Sequence, residues 1–298
     1  MNTVINPAKQ INGTITVPGD KSISHRSVML GAISKGITHV SGFLTGEDCL
    51  STIGCFKELG INIEIDGTNV TVYGKGIHGL SSPTKTLDVG NSGTTLRLMS
   101  GLLAAQPFSS RITGDSSIQK RPMGRVAAPL EMMGGKISSE GEKLTAPLFI
   151  EGNRLHSIEY TLPVASAQVK SALILAGLYA DGVTKITEPE QTRDHTEIML
   201  NYLGADITRD GNTITVNPVN ELTARDIQVP GDISSAAYFI AAALICPNSH
   251  VIIKNVGINP TRTGIITAFR NMGGNIELLN ERTVCGEAVA DISAKTSN

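Results

Sequence analysis

Five short stretches of this 298-residue chain put cations, hydroxyls and glycine where a helix should begin. That pattern suits the gripping of small anions, because a helix start offers free N–H groups and partial positive charge. In Pro18–Arg26, PGDKSISHR, an apolar helix is expected over Ser27–Ile33, capped by Asp20 or Ser22, with Lys21 on the cap and Arg26 about one turn inside. Gly90–Arg97, GNSGTTLR, is a second helix entry, leading into Leu96–Ala105. At Gly93 any Cβ would intrude on a ligand touching the main chain. No Lys-Ser/Thr follows the second glycine, so this is not a nucleotide-binding P-loop.

In Gly114–Met123, Arg121 precedes Pro122, which biases it to extended geometry ahead of a helix started by the proline. There its planar fork can face a carboxylate or phosphate, whereas Lys120 and Arg125 read as solvated. In Val164–Lys170, Ser166 and Gln168 are neutral donors and acceptors before a helix over Ser171–Tyr179, and Lys170 reads as a helix-surface residue. In Thr192–Glu197, Arg193 is a candidate phosphate ligand, Asp194 and Glu197 resemble a capping box, and His195 reads as a structural hydrogen-bonding residue. Any one stretch could be a capped helix with solvated charges. Together, Lys21, Arg26, Arg121 and Arg193 predict a local positive funnel in a chain of net charge −2, and a ligand with at least two anionic groups.

These residues must be positioned by a repeated element. An amphipathic helix, a glycine stop, a short alternating strand, a turn and a second strand recur at Cys55–Gly74, Pro129–Gly152, Met199–Pro218 and Ala268–Ile292. The glycines that end the helices are Gly60, Gly134, Gly204 and Gly273, about 70 residues apart. With a further apolar helix upstream of each, such as Ser92–Ala105 and Ala167–Tyr179, the unit reads as βαβαββ in an α/β architecture. A longer echo, Val17–Asp20 and Val229–Asp232, places a three-unit domain at 21–229 and an incomplete second domain, first unit only, at 1–20 plus 230–298. The polar stretch Ser293–Asn298 offers no closing element, so the reading is of a truncated chain.

Composition narrows the function. Near-neutral charge argues against a nucleic-acid partner. The longest apolar run, Ala236–Cys246, falls short of the ~20 residues of a membrane span. Met1–Gln10 shows no secretory pattern, and Cys49, Cys55, Cys246 and Cys285 form no CxxC pair, so no metal site and a reduced cytoplasmic setting are expected. Aromatics at 4% with no Trp disfavour a base- or sugar-stacking platform.

PGDKSISHR, GNSGTTLR, GDSSIQKRPM, SAQVKSA and TRDHTE, in that order, resemble the 3-phosphoshikimate 1-carboxyvinyltransferase (EPSP synthase) family in its second bacterial class. The resemblance implies an inverse α/β barrel fold of six βαβαββ units, four of them present here. It implies transfer of the enolpyruvyl group of phosphoenolpyruvate to the 5-hydroxyl of shikimate 3-phosphate, without metal or organic cofactor, by a cytoplasmic enzyme monomeric at full length. By motif, Lys21 would be catalytic and touch both substrates. Ser22, Arg26, Ser166, Ala167, Gln168 and Arg193 would hold shikimate 3-phosphate, and Gly93, Arg121 and Gln168 phosphoenolpyruvate.

The family's acidic proton-transfer residue and further anion ligands have no match after Gly273, so little or no turnover is expected of this chain. A noncatalytic anion-binding fragment or half of a split enzyme is the alternative. UDP-N-acetylglucosamine enolpyruvyltransferase, on the same fold, would need a loop cysteine that none of the four supplies. Gly93 implies sensitivity to glyphosate, a phosphoenolpyruvate mimic. The unpaired fourth unit is expected to expose apolar surface along Ala236–Ile245.

Overall fold

Helix-period and strand-period stretches alternate along the chain, and they fold into one supersecondary unit that recurs. The structure is a computed structural model and describes residues 8–297. The N-terminal residues 1–7, part of the segment read for a secretory signal, and Asn298 lie outside the described residues.

Strand β1 (Asn12–Thr16) comes first. It is followed by α1 (Lys21–Ile33), β2 (Lys35–Ser41), α2 (Glu47–Glu58), β3 (Asn62–Asp66) and β4 (Asn69–Lys75). The next repeat is β5 (Leu87–Asp88), α3 (Gly93–Ala104), β6 (Ser109–Thr113), α4 (Gly124–Met132), β7 (Lys136–Ser139) and β8 (Leu148–Glu151). The third is β9 (Glu159–Thr161), α5 (Ala167–Gly177), β10 (Thr184–Thr187), α6 (His195–Tyr202), β11 (Ile207–Asp210) and β12 (Thr213–Val216). The chain continues with β13 (Ile227–Gln228), α7 (Ile233–Ile245), β14 (His250–Gly257), α8 (Gly264–Asn271), β15 (Asn275–Val284) and β16 (Glu287–Lys295).

The described strands form four sheets of four, ordered β1-β14-β16-β15, β13-β2-β4-β3, β5-β6-β8-β7 and β9-β10-β12-β11. Within a sheet, helical crossovers yield parallel neighbours such as β5 and β6 or β9 and β10, and hairpins yield antiparallel ones such as β11 and β12. Gly60, Gly134, Gly204 and Gly273 follow α2, α4, α6 and α8 with φ between +84° and +97°, a conformation a Cβ would penalise.

The chain divides into two compact units. One comprises the residues up to Asp20 and those from Gln228 onward, the other Lys21–Ile227. In the Lys21–Ile227 unit, α1 and α5 are buried along almost their whole length, and α3 packs against α5. A helix buried on nearly every side belongs in a core, and α3 and α5 pack there side by side. In the other unit, Ile233, Ala236, Ile240 and Leu244 of α7 pack on Val251, Ile253 and Ile292 of its sheet. The stretch expected to expose apolar surface is therefore divided. One face is core, and the other leaves Tyr238 and Ile245 80% exposed.

Several local expectations are corrected. α1 begins at Lys21 and not at Ser27, so Lys21–Arg26 lie within its first two turns, while α3 and α5 begin at Gly93 and Ala167, at or next to the earlier of the two starts read for each. α4 begins at Gly124 and not at Pro122. Ile118–Lys120 form a 3-10 turn closed by the Arg121 N–H on the Ile118 carbonyl, and the Met123 N–H is taken by Leu144. Ser293–Lys295 ends β16 instead of trailing off. Ile292 and Ala294 are buried, and the strand is paired on both sides.

Candidate functional site: an anion cradle at four helix starts

Ser92 caps α3, its Oγ accepting the Thr95 N–H at 3.1 Å, so the helix starts at Gly93 with a bare backbone. Four residues on, Arg97 folds back over that first turn, as i and i+4 positions share a helix face. Arg121, extended at φ −81° and ψ 126°, approaches from the neighbouring loop. A Cβ placed on Gly93 would sit 2.7 Å from Arg121 Nη1 and 2.9 Å from Arg97 Nη1. Two guanidiniums thus converge on the space only glycine leaves open.

Neither has a carboxylate ion-pair partner among the described residues. Arg121 Nη2 donates to Asn91 Oδ1 at 3.1 Å, and Arg97 Nη1 to Gln168 Oε1 at 2.7 Å. Asp115, the nearby acid, is held by Asn91 and by the amides of Ser117 and Ile118. Burial, then the charge of Arg121, pulls the Arg97 pKa below its ordinary value. An anion between the two forks would relieve that strain with charge-assisted bonds.

Gln168, in the first turn of α5, spans Arg97 and Thr94, its Nε2 donating to Thr94 Oγ1 at 3.1 Å. Ser166 caps α5 by accepting the Val169 N–H. Ser166, Ala167 and Gln168 are each half-buried at that helix start.

The starts of α1 and α6 meet as well. Arg193 Nη1 lies 3.4 Å from Ser22 Oγ. Lys21 is ion-paired to Asp48 on α2. Arg26 is only 5% exposed. Its Nε donates to Thr196 Oγ1 at 2.7 Å, Nη1 to the Ser22 carbonyl at 3.0 Å and Nη2 to Ser171 Oγ at 2.9 Å. Arg26 therefore knits α1, α5 and α6 together beneath the surface formed by Ser22 and Arg193.

Two further readings change. Glu197 is not the far half of a capping box. Asp194 makes no capping hydrogen bond, and Glu197 is buried 2.8 Å from Lys170 Nζ. Lys170 is fully buried and is no surface residue. Arg97 is a cradle residue that the motifs did not single out, though its i+4 spacing from Gly93 carries the signal. Asn91 and Asp48 have no local signature, because their partners are distant in sequence.

Comparison with known proteins follows the geometry. The family model for EPSP synthase (3-phosphoshikimate 1-carboxyvinyltransferase) matches residues 5–297. The chain is 57% identical over 288 residues to the 3-phosphoshikimate 1-carboxyvinyltransferase of Brevibacillus brevis, covering 97% of this chain and 68% of the relative. It is 56% identical to that of Thermoanaerobacter sp., covering 100% and 70%. The solved EPSP synthase of Acinetobacter baumannii superposes with a TM-score of 0.93 at 52% identity, over 98% of this chain and 66% of that one. The chain thus spans about two-thirds of the length of these relatives. With matches across nearly its whole length in both sequence and fold, the chain belongs to the EPSP synthase family, the 3-phosphoshikimate 1-carboxyvinyltransferases.

Proposed function

We propose that the helix starts of the Lys21–Ile227 unit bind shikimate 3-phosphate and phosphoenolpyruvate for enolpyruvyl transfer to the 5-hydroxyl, yielding 5-enolpyruvylshikimate 3-phosphate and inorganic phosphate. The observation that carries this reading is the pair of guanidiniums, Arg97 and Arg121, aimed at the open space over Gly93 without a carboxylate between them. A small phosphorylated carboxylate fits such a cradle, and Gln168 adds a neutral amide to it. Ser22, Arg193, Ser166, Ala167 and Gln168 would take shikimate 3-phosphate, with Arg26 fixing Ser22 and Thr196 from below.

In the reaction the 5-hydroxyl oxygen gives up its proton and bonds to C2 of phosphoenolpyruvate, while the C2=C3 π electrons take a proton at C3. The tetrahedral adduct then loses a C3 proton and breaks its C2–O bond to phosphate. Lys21, held by Asp48 at the start of α1, is the candidate catalytic group touching both substrates. Clamping both anions supplies orientation and charge stabilisation, the two largest contributions to such catalysis. No metal or organic cofactor is invoked. We assign the chain a cytoplasmic setting, which its free cysteines support. We further assign a monomeric state to the full-length form.

Calorimetric titration of the chain with shikimate 3-phosphate, then with phosphoenolpyruvate, tests this reading alongside a phosphate-release assay. Absence of shikimate 3-phosphate binding overturns it. Binding with little or no turnover is the result expected of this chain by itself, and it leaves a noncatalytic anion-binding fragment or half of a split enzyme as the alternative.

A further inference from the structure

Lys170 is the most deeply buried cation of the Lys21–Ile227 unit, with none of its side chain exposed, and it touches no proposed ligand position. A lysine ammonium has three protons and no other polar function. Here Nζ donates two hydrogen bonds and is ion-paired to a third oxygen. Nζ lies 3.1 Å from Glu188 Oε1, 2.8 Å from Glu197 Oε1 and 3.3 Å from the Thr192 carbonyl oxygen. Glu188, equally buried, accepts the Thr192 N–H on both oxygens at 3.2 Å and the Thr192 hydroxyl on Oε2, and Arg209 pairs with the same carboxylate. The Thr192 N–H, hydroxyl and carbonyl are therefore all held by this cluster. The next residue is Arg193, whose side chain meets Ser22. On α5, Lys170 stands two residues after Gln168 and one before Ser171, which receives Arg26.

A buried ion cluster is a poor source of net stability, since desolvation offsets much of its Coulomb energy. Replacing the whole cluster by apolar side chains can be neutral, whereas removing Lys170 alone leaves Glu188 and Glu197 buried without it. What the cluster supplies is a fixed backbone for a residue in a loop that has no ladder of its own. We infer that Lys170 and Glu188 are positioning residues: they lock Thr192 so that Arg193 is held in place to receive the phosphate of the ligand bound at the starts of α1, α5 and α6. The inference rests on the proposed binding of shikimate 3-phosphate. It adds residues that act through Arg193 without contacting the ligand.

The test is a double-mutant cycle read by calorimetry with shikimate 3-phosphate and with shikimate, which lacks the phosphate. Lys170→Met weakens shikimate 3-phosphate binding about tenfold or more and leaves shikimate binding within about twofold, as expected for a lost charge-assisted contact. Adding Arg193→Ala to Lys170→Met costs less than about a further threefold, because the two act as one unit. Fully additive losses, or equal loss for both ligands, overturn the inference. Where Lys170→Met lacks a cooperative thermal transition, Thr192→Val replaces it. That variant removes only the hydroxyl bond to Glu188, and the same non-additivity with Arg193→Ala is expected.

A wild-type chain that binds neither ligand sinks the proposed function, not the tie itself. The tie is then decided by amide exchange in the unliganded chain. Lys170→Met, or Thr192→Val, accelerates exchange at Thr192 and Arg193 relative to α6, and unchanged exchange at both overturns it.

Discussion

At Gly93 the missing side chain is the functional feature. The contacts a Cβ would make, 2.7 Å to Arg121 and 2.9 Å to Arg97, are with the far ends of flexible side chains, so Gly93→Ala should fold with its thermal midpoint barely moved. The two forks must part to admit the methyl group. A displacement near 1 Å in a preorganised cradle costs on the order of 10- to 100-fold in what it holds. Calorimetry with phosphoenolpyruvate should show that loss, and an unchanged affinity would remove the cradle from the mechanism. Arg97 predicts a pair of effects with opposite signs. It is half-buried beside a like charge, and both facts disfavour its cation. Arg97→Met should therefore leave the unliganded thermal midpoint equal or higher. The rise in midpoint that inorganic phosphate produces in the wild type should shrink or vanish. A lower unliganded midpoint together with an intact phosphate response would show that Arg97 is structural.

Among the elements, the start of α3 sets where that cradle stands. Ser92 Oγ takes the Thr95 N–H and also its hydroxyl, at 2.6 Å. Thr95 Oγ1 lies 2.7 Å from Thr52 Oγ1 on α2, and Thr52 Oγ1 lies 2.7 Å from His25 Nδ1 on α1. Three helices are thus joined by one buried line of three hydroxyls and an imidazole. Ser92→Ala removes the cap and one end of the line, and should cost at least about 1 kcal/mol in a denaturant titration. A change below a few tenths would mean the cap is idle. How far such features can be read from sequence depends on how local their causes are. The glycine stops, the Asp-Gly hairpins and the βαβαββ repeat follow from neighbours within a few residues, and they are visible in the chain. Arg97 was within reach too, since its partner Gly93 is one turn away. Lys170 was not. Its burial is decided by Glu188, Glu197 and Arg209, which arrive from separate segments, and a lone lysine on an apolar helix gives no sign of them. α1 starts ahead of its apolar run because the polar residues Lys21–Arg26 belong to its first turns and not to a loop before it.

For the molecule as a whole, each unit carries its own acid-sensitive group, and the two titrate in different windows. In the Lys21–Ile227 unit, burial first, then the charges of Arg26 and Lys21, lowers the His25 pKa from 6.5 to about 3. Between those values the unfolded chain binds a proton that the folded one refuses, so stability falls as pH drops below 6.5 and levels off near 3. The loss attributable to His25 is roughly 3–5 kcal/mol across that window. In the other unit, Asp291 accepts the Asn255 N–H at 2.9 Å, Asn280 Nδ2 at 2.9 Å and Lys254 Nζ at 2.8 Å. Asn255 and Asn280 are positive-φ residues at the register shifts of β14 and β15, so one carboxylate fixes both irregularities. Burial opposes ionisation, but these three bonds win and hold the Asp291 pKa at about 2. Its contribution is therefore intact above pH 4 and lost as pH falls through 2, on the order of 2 kcal/mol. Amide exchange followed residue by residue should separate the two. From pH 6.5 to 4.5, opening free energies in Lys21–Ile227 should drop in the wild type and stay nearly level in His25→Asn, which keeps a polar group facing Thr52 but does not titrate. Over the same interval Asp291→Asn should lower protection of β14–β16 by a constant amount, with no added pH slope. A wild-type slope that persists undiminished in His25→Asn would assign the acid sensitivity of that unit to its carboxylates instead.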